Sequence, residues 1–159
     1  MNRGFLYKRT VEPVVALIKQ GVSPEKISLG MAWGIILGIF PVLGLTTILC
    51  GLAALVFRLN LPAIQLVNFL VYPLQLVLLI PFFQLGDLLF QVEPLPLSAQ
   101  EFITLLQADL WGTIQAFWNT TLRAIVAWTL VSLPIFLILH FTLLRLIKTF
   151  SFANMGAKR

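Results

Sequence analysis

The chain has 159 residues, of which 59% are hydrophobic and 11% charged, with a formal net charge of +5 and a mean hydropathy of +0.96. Soluble domains carry about 25% charged residues, so this composition excludes a soluble globular class and leaves one all-α membrane domain, 1–159. One cysteine, Cys50, excludes an intrachain disulfide, and the basic residues flank apolar runs, which assigns their charge to membrane orientation and anionic headgroups and leaves no case for nucleic acid.

Residues 1–27 form a basic segment with Arg3, Lys8, Arg9, Lys19 and Lys26, without the apolar core and small-residue site of a cleavable leader. Within it, 11–20 reads as a short amphipathic helix with Thr10 as N-cap, Pro13 in the first turn and Gly21 past the end. Ser23-Pro24-Glu25 is a second helix start, with Ser23 capping and Val22 and Ile27 spaced as a hydrophobic staple.

From Ser28 to Phe57 no side chain is charged. About 30 residues make a helix of ~45 Å, longer than the ~30 Å hydrocarbon core. Pro41 and Gly44 interrupt the run at its centre, which predicts two half-length helices, about 28–40 and 44–57, joined by a tight turn. Neither half crosses alone, so the pair reads as a re-entrant hairpin; one long, kinked, tilted span is the alternative. Gly30, Gly34 and Gly38 recur every four residues and predict a face for close helix packing.

Arg58 marks the next boundary, where Asn60 caps and Pro62 opens a second apolar run, 61–86. Pro73 and Pro81 are expected to kink or break it. Gln65, Asn68, Tyr72, Gln75 and Gln84 need partners or water at membrane depth, so this span faces protein or a cavity. Asn68, Tyr72 and Gln75 are the residues expected to cover the hairpin turn.

Residues 87–123 hold Asp87, Glu93, Glu101 and Asp109, and no Lys or Arg before Arg123. Glu93-Pro94-Leu95-Pro96-Leu97 reads as an extended linker, and Ser98 with Glu101 as a capping box. A helix over 99–122 follows, with Trp111 and Trp118 at its apolar margin, as a helix lying in the headgroup plane would show. Residues 124–144 form the cleanest span, kinked at Pro134, and a basic tail 145–159 ends the chain. The positive-inside rule places both termini in the cytoplasm and 87–123 outside. That requires an even number of crossings, which the re-entrant reading of 28–57 satisfies.

The motif series Ser23-Pro24, Gly34/Gly38, Pro41-Val42-Leu43-Gly44 with Thr46, Arg58-Leu59-Asn60-Leu61-Pro62, and Asn68 with Pro73 resembles the bacterial membrane family called domain of unknown function 2062. That family tends to place Asn directly before Pro, whereas Phe-Leu-Val-Tyr separates them here. The resemblance, which covers about residues 20–90, implies a bacterial inner-membrane protein and no particular activity. Some relatives are fused to glycosyltransferase-like domains, which points toward envelope glycolipid work.

A catalytic constellation is not visible, so enzyme activity is not expected. The single histidine, His140, reads as a packed or interface-facing residue, with a proton relay as the alternative. No His, Cys and acid set has metal-ligand spacing, and no cofactor is implied. Broken helices at membrane depth leave free backbone groups that transporters use to bind ions and anionic groups. Thr46, Thr47, Gln65, Asn68 and Gln75 are the candidates to line a polar cavity, and Arg58 is the candidate for a phosphate or headgroup at the cytoplasmic edge. Transport or flipping of a lipid-linked or anionic envelope substrate is one reading. The alternative is a non-catalytic subunit that anchors an envelope enzyme, and a second copy of the chain is a further partner to test.

Overall fold

The computed structural model describes residues 23–93, 104 and 107–156. The expected helix over 11–20 and the capping box at Ser98 and Glu101 lie outside the described residues, as does the linker from Pro94 onward. The described residues contain four long helices and no strand: α1 (Pro24–Gly38), α2 (Thr46–Val56), α3 (Leu61–Leu89) and α4 (Leu110–Gly156).

The helix starts are local events. Ser23 Oγ accepts from the Lys26 amide at 3.4 Å and Pro24 takes the opening position of α1. Asn60 Oδ1 accepts from the Ala63 amide at 3.0 Å, with Pro62 in the first turn of α3. Between α1 and α2 the chain turns over 39–45, where Gly44 takes a φ of 86° that only glycine adopts without strain. The two short helices then fold back on one another. Trp33 of α1 stacks on Phe57, just past α2, at 5.1 Å between rings, and Leu37 packs with Cys50, Ala53 and Ala54. A single span would hold Trp33 and Phe57 ~36 Å apart, so the folded-back arrangement replaces that alternative.

Helix α3 lies parallel to α1. A Cβ on Gly34 would stand 2.8 Å from Val67 Cβ and 3.0 Å from the Ile64 carbonyl, and one on Gly38 would stand 3.4 Å from Val71 Cβ. Helix α4 runs antiparallel to α1: Glu25 pairs with Lys148 at 2.8 Å, Trp33 meets Phe136 at 4.7 Å, and Trp128 Nε1 donates to the Ile36 carbonyl at 3.2 Å. At the opposite end α3 and α4 touch backbone to backbone, since a Cβ on Gly86 would stand 2.7 Å from the Arg123 carbonyl carbon.

One expectation is narrowed and another corrected here. Of the two outcomes expected at Pro73 and Pro81, a kink or a break, the break is absent, since α3 is continuous across both, and Pro134 lies inside a continuous α4. Each proline removes one ladder bond, and packing against neighbouring helices keeps the remainder of the ladder in place. The expected helix end near residue 122 is also absent, because α4 runs from Leu110 to Gly156 without interruption. Nothing at that point stops it. The polar groups there bond back to their own helix, as Thr121 Oγ1 does to the Phe117 carbonyl at 2.8 Å, and the charge of Arg123 is met by Asp87 of α3.

Among the described residues two helices are long and apolar enough to cross a membrane: α3, and α4 over Leu110–Thr149. Only 17% of the most apolar window of each is buried inside the chain. The core helix of a soluble protein would be mostly buried. Instead the large apolar side chains point outward, among them Leu55, Phe69, Val77, Leu88, Leu133 and Ile138, as a hydrocarbon solvent requires.

Candidate functional site

The site is the turn between α1 and α2, together with the face of α3 that closes it. Breaking the helix at 39–45 frees carbonyls that a continuous helix would have used. Gln75 of α3 answers this. Its Nε2 donates to the Phe40 carbonyl at 2.8 Å and lies 3.5 Å from that of Val42, and the side chain is fully buried. A second link holds α2: Gln65 Nε2 donates to the Thr47 carbonyl at 2.9 Å, and Asn68 Nδ2 donates to Gln65 Oε1 at 3.3 Å. Asn68 is buried and its Oδ1 lies against Gly38, at 3.3 Å from where a Cβ would stand. It therefore faces the α1–α2 pair, as expected, and not the outer surface.

The structure brings the expected residues together unevenly. Gln65, Asn68 and Gln75 share the face of α3 turned toward α1 and α2, and Thr46 is buried beside the turn. Thr47 joins through its backbone carbonyl, and the residue itself is exposed. Tyr72 is 47% exposed and does not cover the turn, because position 72 falls on the outward face of α3. Of the three glycines, Gly34 makes the tightest approach and Gly38 a close one, 3.3 Å from Asn68 Oδ1 to a Cβ, while nothing lies within 4 Å of a Cβ on Gly30. Arg58 has a φ of 52°, is exposed, and sits at the far end of α2 from the turn. Pro41 is buried and Gly44 exposed.

Two polar features here stand out. Gln75 Oε1 is buried without a hydrogen-bond partner. The N-cap residue of α2, Leu45, offers no side-chain cap, so the first amides of that helix keep their positive end free of a side-chain acceptor.

Three long-range contacts lie outside the expected set. Ser28 Oγ donates to the Glu25 carbonyl at 2.9 Å and meets His140 Nδ1 at 3.3 Å. The Glu25–Lys148 pair at the same end holds the Glu25 carboxyl below its ordinary value, chiefly through the lysine hydrogen bond. At the opposite end Asp87 Oδ1 and Arg123 Nη1 stand 3.1 Å apart and buried, yet the N–H is not directed at that oxygen. The guanidinium is aimed by its own helix, through Nε to the Asn119 carbonyl at 3.2 Å and Nη2 to Thr120 Oγ1 at 3.0 Å, so charge alone holds the pair. The signal for this pairing was present: Asp87 closes one apolar run and Arg123 opens the next.

The family described as "uncharacterized protein conserved in bacteria (DUF2062)" matches residues 11–154. The chain belongs to this family. That match takes in α1, α2, α3 and α4 up to residue 154, so the turn, its Gln75 closure and the Asp87–Arg123 pair all lie within the DUF2062 region. No curated protein and no solved structure matches the chain. Two span-length apolar helices and a bacterial family together describe a bacterial membrane protein.

Proposed function

We propose that this DUF2062 protein is a multi-pass inner-membrane protein that moves a lipid-linked or anionic envelope substrate, with α1 and α2 forming a re-entrant hairpin. One observation carries this reading: the turn is held by Gln75, the central residue of α3. If α3 crosses the bilayer, the turn stands at mid-depth. A broken backbone is tolerated there only against protein or a cavity. Its uncapped α2 start offers the positive helix end that transporters direct at anionic groups. Both termini and Arg58 then lie on the cytoplasmic side, where Arg58 meets the phosphate of an arriving substrate. The test is the sidedness of envelope lipid carriers in a deletion strain. Carrier accumulating on one leaflet, restored by the parent gene and not by a Gln75→Leu variant, supports transport. Unchanged sidedness overturns it.

A second reading has its own support. Gln65, Asn68 and Gln75 direct their donors to the chain itself, as a compact anchoring subunit would. In that reading the protein scaffolds an envelope glycosyltransferase system. Loss of such an enzyme from the membrane fraction on deletion, with carrier sidedness unchanged, favours it.

A further inference from the structure

We infer that α1 slides by one helical turn along a fixed frame made of α3 and α4. The glycines of α1 form a ladder with a rung at every turn, and the α3 valines occupy two of the three rungs. Val67 lies over Gly34 and Val71 over Gly38, while the position over Gly30 is open, with nothing within 4 Å of a Cβ. A forward slide of one turn, about 5.4 Å, sets Val67 over Gly30 and Val71 over Gly34. The same small-over-branched packing is then remade. Two discrete registers of equal shape are the condition for a ratchet of this kind.

The polar contacts point to the same second register. Trp33 Nε1 is buried and has no acceptor where α1 now stands, level with Phe136. One turn along α4 from Phe136 is Ser132, buried, whose hydroxyl donates to the Thr129 carbonyl at 3.2 Å and so leaves its oxygen able to accept. The slide brings the indole N–H level with that oxygen. Glu25 passes from Lys148 to the level of Arg145, another cation. The bonds from Ser28 to His140 and from Trp128 to the Ile36 carbonyl are given up, so each register keeps contacts that the other lacks. The frame stays put because Gly86 and Asp87 fix α3 to α4 at the far end. The turn 39–45, with Gly44 at positive φ, takes up the displacement, and Gln75 releases the Phe40 and Val42 carbonyls as it does so. The inference does not depend on the transport reading.

Spin labels test it in the full chain in lipid nanodiscs, with Cys50→Ala as background. Lys26→Cys with Leu88→Cys reads the slide along its axis; Thr149→Cys with Leu88→Cys reads the frame. The expected result is two Lys26–Leu88 distances about 5 Å apart and a single Thr149–Leu88 distance. Gly30→Val fills the open rung. It should leave thermal stability unchanged and remove the shorter Lys26–Leu88 population. A single Lys26–Leu88 distance in the parent, a shorter population that survives Gly30→Val, or a frame pair that splits equally overturns the inference.

Discussion

Gln75 holds a break that the rest of the chain cannot repair. Replacing it with leucine keeps the volume near its own but removes the second donor from the buried Phe40 carbonyl, leaving only the Val42 amide at 2.8 Å, and withdraws the amide that lies 3.5 Å from the Val42 carbonyl. The loss of one such bond costs about 0.5–1.5 kcal/mol, or a few degrees in a chain of this size. The expected outcome is a lower melting temperature in detergent for Gln75→Leu, with Tyr72→Phe unchanged because that ring is exposed. Gly34 is the second sensitive residue. In lipid the transfer gain that makes Leu37→Ala costly in water is small, and packing dominates. A leucine at Gly34 begins with a Cβ 2.8 Å from Val67 and must separate the helices. Ranked by thermal stability, Gly34→Leu should fall below Leu37→Ala, with Gly38→Leu between Gly34→Leu and the parent. Glu25 gives a pH signature. Its folded pKa is depressed by Lys148, so its contribution is full above the ordinary carboxylate value of 4.5 and is lost as pH falls through the folded pKa. Melting temperatures of the parent and Glu25→Gln should differ at neutral pH and converge on acidification; a constant difference would remove this role for the pair.

Among elements, the folded-back α1–α2 pair makes the clearest distance prediction. Labels at Glu25 and Arg58, both exposed, should lie far closer than the ~50 Å that a continuous helix over those residues would give. The Asp87–Arg123 pair makes an energetic one. Asp87→Leu strands a buried guanidinium, a loss of about 3–5 kcal/mol, and the double change with Arg123→Met should recover most of it. A double variant as unstable as the single would show that the pair is not the lock between α3 and α4. The caps at Ser23 and Asn60 and the turn at Pro41 to Gly44 were legible in the sequence, because each is decided by residues within a few positions. Gln75 was legible as a polar group with no local partner in an apolar run. His140 and Ser28 were not, since 112 positions separate them. The continuity of α4 was hidden for a related reason. Its pattern changes from amphipathic to apolar at Arg123, and the charge that seems to end the span is neutralised from another helix.

For the whole molecule, charge placement predicts both termini inside and 87–123 outside. Single cysteines at Asn2, Ala157 and Ser98 in a Cys50-free background, treated on intact cells with an impermeant thiol reagent, should label only at Ser98. Labelling at Asn2 and Ala157 with Ser98 protected would invert the arrangement. The uninterrupted α4 has a mechanical consequence. Its 47 residues span about 70 Å, well beyond the ~40–45 Å of a bilayer with its headgroups. A rod of that length, pinned less than a third of the way along by Asp87 and Gly86, is a lever with unequal arms and its fulcrum inside the protein. A small tilt produced at the Trp111 end appears, reversed in direction, at the Lys148 end, so a push received at one end of the helix can be read at the other with no moving part between.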